Sequence, residues 1–257
     1  MATYYAKRAL EILREEGPVE LYKKFKRFVM WRLRKQSEKQ SEKSRYCWYY
    51  LQYRGSTPNY KKVVKIKPRD IEHTFSPKYA WAPLDKDLVK LKKERPHLDS
   101  EFQKYRGKYT ILNGSWDELK VPMRDCYHVK GLIEHFCNGK NWDRTSEYTW
   151  FKKLNRSEEW ITRHFNESEQ LYESINTNGF DSNYPVKICI GREGEIIRDY
   201  AFHRITISKI LGLDRIPAKV TVRHKQWQEL RHEIHNNGLP EGREDLRDHP
   251  DLQDVLN

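Results

Sequence analysis

Residues 186–223 read VKICIGREGEIIRDYAFHRITISKILGLDRIPAKVTVR, and this stretch decides the fold. Val186–Ile190 is a short apolar run rich in β-branched side chains, which predicts a strand. Arg192-Glu193-Gly194 predicts a tight turn into Glu195–Arg198, so the two runs form a hairpin. Asp199–Arg204 predicts a loop. Ile205–Leu211 then predicts a helix closed by Gly212, since glycine tolerates the left-handed conformation that ends helices. Ile216–Val222 predicts a further strand. Strand, hairpin, helix and strand in such close succession predict an α+β domain.

Working outward, Lys225–Asn236 predicts a helix with Trp227, Leu230 and Ile234 on one side. The acidic, proline-containing tail, residues 239–257, is expected to be poorly ordered. Upstream, residues 123–178 have helical spacing, broken at Gly139 and Asn141, and Gly179 is the expected stop. Tyr109–Leu112 predicts a short strand before Gly114-Ser115-Trp116-Asp117. Lys62–Lys67 alternates and predicts a strand, with Pro68–Ile71 turning into a short helix. Residues 72–100 read as an irregular charged excursion, and Cys47–Tyr53 as a packed aromatic run.

The front of the chain differs in charge. Of 257 residues, 49 are Lys or Arg and 37 Asp or Glu, a net of +12. Residues 1–110 hold 28 basic and 13 acidic side chains, net +15; residues 111–257 hold 21 and 24, net −3. Attraction to a polyanion therefore belongs to the front. Pro18–Lys35 predicts a helix carrying Leu21, Tyr22, Phe25, Phe28, Val29 and Leu33 on one face and lysines and arginines on the other. It suits an anionic membrane surface or docking onto its own domain. Lys35–Arg45 is wholly polar and reads as a linker or an exposed helical extension. The domain organisation expected is thus basic helices and linker over 1–45, the α+β domain over 46–238 with a large helical insertion at about 72–165, and the tail. No apolar run is long enough to cross a membrane and no signal peptide is evident, so a cytoplasmic protein is expected, with a peripheral place at a membrane as the option that the basic helix leaves open. Four dispersed cysteines (Cys47, Cys126, Cys137, Cys189) exclude a disulfide scaffold. His232-x-x-His235 with His224 lacks a convincing third ligand, and no metal site is expected.

Val63–Ile71, Glu173–Gly179 and Val186–Arg223 together resemble the ParB/sulfiredoxin superfamily, over roughly a third of the chain. The resemblance implies a small mixed sheet and phosphate handling by a loop ending in His-Arg, here His203-Arg204. The physical logic agrees: a helix N-terminus presents free N–H groups and positive potential to an anion. Arg204 adds a forked donor, His203 a contact or a proton, and Thr206 and Lys209 follow within reach. The family loop is Asp-Gly-x-His-Arg, whereas Tyr200 and Ala201 occupy the first two positions here. Phe202 stands where sulfiredoxins carry cysteine, which excludes their reaction.

The expectation is a nucleotide-dependent phosphotransferase (kinase) for a small hydroxyl-bearing or sugar-like acceptor, using ATP, ADP or CTP with Mg²⁺. Asp199, Glu173 and His203 are the catalytic candidates, with Glu195 and Asp117 as further carboxylates, and His203, Arg204, Thr206 and Lys209 would bind the nucleotide. Trp142, Trp150 and Trp160 would build the acceptor side. The alternatives are a ParB-like DNA-binding or nuclease protein, drawing on the basic front, and a non-catalytic nucleotide-sensing module.

Overall fold

The computed structural model describes residues 42–75 and 96–256 and scattered helical positions between 17 and 29. Two compact units are present, residues 1–57 and 58–257, so the first extends past the expected boundary at 45. In the first, the described positions from Gly17 to Val29 are helical, as the amphipathic pattern predicts. The rest of Pro18–Lys35 and most of the polar linker lie outside the described residues. Helix α1 (Glu42–Tyr53) carries the aromatic run. Tyr53 is buried but Tyr50 and Leu51 are exposed, so the run is only partly packed.

The second unit is mixed α+β. Its strands are β1 (Val63–Ile66), β2 (His73–Phe75), β3 (Thr110–Leu112), β4 (Lys120–Pro122), β5 (Val186–Ile190), β6 (Ile196–Tyr200) and β7 (Ile216–His224). They form one sheet in the order β1-β7-β5-β6-β2-β4, with β3 also pairing β7. β5 runs antiparallel to β6, as the Arg192–Gly194 turn predicts, and parallel to β7. Ala218 pairs with both Val64 and Val186, and Val222 with both Thr110 and Cys189, so β1 and β3 share the edge of β7 opposite β5. Val186, Ile188, Cys189 and Ile190 are all fully buried, so β5 is covered on both faces of the sheet, which is why it reads as a near-continuous apolar run.

Three strands come from the stretch expected to be a mostly helical insertion: β3 is the strand expected at Tyr109–Leu112, whereas β2 and β4 are not anticipated by the sequence. β2 lies parallel to β6 and antiparallel to β4, and both extend the sheet. The excursion at 72–100 is therefore partly sheet; residues 76–95 lie outside the described residues. Helices α2 (Pro96–Tyr105), α3 (Tyr127–Phe136), α4 (Ser146–Lys153) and α5 (Glu158–Asn178) complete this part. Capping follows the sequence: the Thr145 and Ser157 side chains accept from the backbone of Tyr148 and Trp160, and Gly179, at φ 74°, ends α5.

Two helices follow, α6 (Phe202–Ile210) and α7 (Lys225–Asn237). β6 continues through Asp199 to Tyr200, and α6 begins at Phe202, so the expected six-residue loop is reduced to Ala201. Ala201 adopts φ 71°, ψ 49°, the left-handed region that favours glycine. For alanine this costs about 1 kcal/mol or more, and such strain concentrates at functional sites.

The tail is ordered, contrary to expectation. Leu246, Leu252 and Val255 join the main core, and Asp251 is fully buried. The acidic residues that suggested disorder pair with basic residues of the body: Asp251 with Arg223, and Asp254 with Lys62 and Arg231. A smaller second core holds Trp150, Phe151, Ile161 and Phe165. No helix of the described residues is long and apolar enough to cross a membrane.

Candidate functional site

The expected residues go to several places. Asp199 is fully buried: its carboxylate accepts from Arg106 Nε at 2.8 Å, Gly107 N at 2.9 Å and Thr221 Oγ1 at 2.8 Å. These bonds tie residues 106–107 to β6 and β7, and a carboxylate so engaged is not placed to orient an acceptor hydroxyl. Asp199 is structural. Glu173 is exposed on α5. Glu195, just before β6, pairs with Lys120 of β4. Asp117 clasps Arg192, accepting its Nε at 2.9 Å and Nη2 at 2.6 Å, so the Gly114–Asp117 motif anchors the hairpin turn.

Thr206 Oγ1 donates to Phe202 O, and Lys209 Nζ to Ile71 O at 2.6 Å. Arg204 gives Nη1 to the Tyr184 carbonyl and lies 5.7 Å from the Phe180 ring. Of the four residues expected to hold a nucleotide, three thus have protein partners. Trp142 and Trp150 lie in or against the second core, as does Trp160.

His203 leads elsewhere. It stands in the first turn of α6 and faces His128 of α3 and His164 of α5, with ring centroids 5.3 and 5.0 Å away. Glu147 of α4 completes the group. His128 Nδ1 and Glu147 Oε1 are hydrogen-bonded, His164 Nε2 lies 3.1 Å from the same oxygen, and His203 Nε2 lies 3.9 Å from it. One donor atom from each of the four residues falls within 4.8 Å of every other. Glu147 is fully buried and His128 nearly so, while His164 and His203 keep 16% and 26% side-chain exposure, which leaves the site one open edge.

Two polar atoms here, His203 Nε2 and Glu147 Oε2, are buried without a hydrogen-bond partner among the described residues. Such atoms are costly unless a ligand or ion satisfies them. The protonation states suit a cation. Burial would raise the Glu147 pKa, but the hydrogen bonds with His128 and His164 more than offset this and carry it down to about 2. Burial, with His128 beside it, lowers His203 to about 3, so its imidazole is neutral and keeps a lone pair. Ionised carboxylate and neutral imidazole are the forms that ligate metal.

Three imidazoles and a carboxylate match zinc, iron, nickel or manganese, and offer too little oxygen for Mg²⁺. The sequence pattern holds a signal for them. Glu147 precedes Trp150 and Phe151, His164 follows Ile161, and His128 precedes Leu132, each at the i, i+3 or i+4 spacing of a buried face. A titratable residue on an apolar helix face is the pattern that marks all three.

Gly131 of α3 makes room for the carboxylate. A Cβ there would overlap the Glu147 Cβ and stand 2.8 Å from Oε2. Gly131→Ala is therefore expected to push α3 from α4 and to weaken metal binding by at least ~10-fold, the order of effect when a ligand's support is lost. Isothermal titration with Zn²⁺ or Mn²⁺ checks it; unchanged affinity would mean that Glu147 does not have to sit here. Comparison with known proteins finds no matching family model, curated protein or solved structure.

Proposed function

We propose that the protein is a metal-dependent enzyme in which His128, Glu147, His164 and His203 hold one divalent first-row transition ion that acts on a small molecule. The observation that carries this is the convergence of four ligand atoms from four separate helices, two residues of the set having buried atoms without partners among the described residues. Four-coordinate zinc would use every position and serve structure alone. An ion taking five or six ligands, such as Mn²⁺ or Fe²⁺, would keep one or two positions for water or substrate. The open edge at His164 and His203 favours the second arrangement. When bound, such an ion would polarise a substrate oxygen or acidify a water; the chain supplies the ligands, and Trp150, Phe151 and Phe202 supply a dry surround.

The sequence resemblance to ParB/sulfiredoxin proteins, together with His203 and Arg204 in the first turn of the helix after the hairpin, supports a second reading, phosphoryl transfer from a nucleoside di- or triphosphate. Its Mg²⁺ would need oxygen ligands beyond this cluster. In the first unit, Val19, Tyr22 and Phe25 are exposed beside Lys26, which supports a place for the protein on an anionic membrane surface.

The deciding measurement is metal content after purification and after reconstitution with Zn²⁺, Mn²⁺, Fe²⁺ or Co²⁺. About one ion per chain is expected, falling below ~0.1 in His203→Ala, since one ligand in four is lost and the orphaned nitrogen goes with it. Substoichiometric loading of the wild type with every ion would sink the reading. A thermal shift with ATP, ADP or CTP and Mg²⁺ in that metal-free protein would then favour the second.

A further inference from the structure

Among the described residues, Arg198 of β6 is a buried cation that forms no ion pair. It is 4% exposed, and its Nε donates to Thr74 Oγ1 at 2.7 Å. Among the described residues no carboxylate lies within 4.0 Å of it, and no acceptor meets its Nη1 or Nη2. The neighbouring carboxylate, Asp199, is committed to Arg106, Gly107 and Thr221, and Arg106 adds positive charge of its own. Burial pushes the Cys126 thiol up to about 11, so it is neutral near Arg198 and supplies no anion. Burial, and then Arg106, lowers Arg198 to about 10, where it remains charged at neutral pH.

Stacking on the Phe202 ring, 4.5 Å away, offsets only part of that desolvation cost. The same ring lies 5.4 Å from that of His128, and the Arg198 charge is one cause of the low His203 pKa. Phe202 thus contacts both the Arg198 cation and His128 of the cluster.

We infer that Arg198 is the anion-recognition residue of this site, taking two oxygens of a phosphate or carboxylate on the substrate through Nη1 and Nη2. A planar guanidinium matches both groups in a forked geometry that lysine lacks. The inference rests on the proposed metal-dependent function only for what lies beside the anion, and it narrows the substrate to small oxyanions. Thr74 fixes the fork through Nε and leaves the outer nitrogens for the ligand.

The test is a thermal-shift titration of the full chain with inorganic phosphate and, separately, malonate, on wild type, Arg198→Met and Arg198→Lys, with metal content measured on each. One anion is expected to raise the wild-type midpoint by about 3 °C or more at ten times its Kd. Arg198→Met should lose that shift, keep its metal, and melt no lower than ligand-free wild type, because an uncompensated buried charge has been removed. Arg198→Lys should show a weaker shift. A phosphate response without a malonate response assigns phosphate esters, and the reverse assigns carboxylates. An Arg198→Met protein that keeps the shift, or a metal-loaded wild type that answers neither anion, overturns the inference. If no metal loads but the shift still depends on Arg198, the metal reading fails and the anion site stands.

Discussion

Replacing Asp251 by Asn is expected to lower the stability of the second unit by about 3–5 kcal/mol and its melting midpoint by roughly 10 °C. The carboxylate accepts Arg223 Nε at 2.9 Å and Nη2 at 2.6 Å, and Trp227 Nε1 at 2.9 Å, with Arg231 Nη1 at 3.6 Å. The side chains of both arginines are almost wholly buried. Asn keeps the shape and removes the charge, which leaves two guanidinium groups in the core without their shared anion. Burial alone would raise the Asp251 pKa; Arg223 and Arg231 win and hold it well below the usual aspartate value. A depressed folded pKa gives stability that is complete above the unfolded value of about 4 and lost as pH falls below it. The gap between wild type and Asp251→Asn should therefore be full at pH 7 and 5 and shrink at pH 3. Urea unfolding at the three pH values measures it. A variant within about 1 kcal/mol of wild type at pH 7 would remove the Asp251 knot from the account.

That knot is also where the reading of the sequence went astray. Charge and proline marked residues 239–257 as unstructured, yet Leu246, Leu252 and Val255 are spaced to bury, and the acids have partners far upstream. Local composition cannot register a partner such as Arg223. By contrast, β1, β5, β6, β7 and α7 were legible because each is a short periodic run bounded by its own turn or cap. β2 and β4 are three residues each, too short to show alternation, and exist because β6 offers an edge to pair with.

The site divides in the same way. His203 was legible as a functional candidate because it sits beside Arg204 after a recognisable hairpin. Its three companions carry only the weaker signal of a titratable residue on an apolar helix face, since His128, Glu147 and His164 lie on separate helices with no motif spacing between them. The helical character of 123–178 was read correctly, but helix packing decides which faces meet. Asp199 shows the opposite error: a carboxylate next to a suggestive loop belongs, in three dimensions, to Arg106 and Thr221.

Glu147→Gln is expected to weaken metal binding by more than ~100-fold with the fold intact, because loss of even an outer-shell partner costs 10–100-fold and Glu147 is the only anionic ligand of the set. Gln is the informative replacement. It fills the same space against Gly131, so a loss reports charge and donor chemistry, not a cavity. The competing account is a hydrogen-bonded knot in which the three imidazoles need no ion. The two accounts differ in what a chelator does. With a metal present, EDTA lowers the wild-type midpoint and leaves Glu147→Gln unmoved, since only the first has a ligand to lose. With a bare knot, EDTA moves neither, and Glu147→Gln alone is destabilised through the weakened contacts with His128 and His164. Glu173→Gln, exposed on α5, serves as the control that should match wild type in both metal content and midpoint. Cobalt loading followed by visible absorption gives the same contrast spectroscopically: bands that require imidazole and carboxylate ligation should appear in wild type and in Glu173→Gln, and be absent in Glu147→Gln.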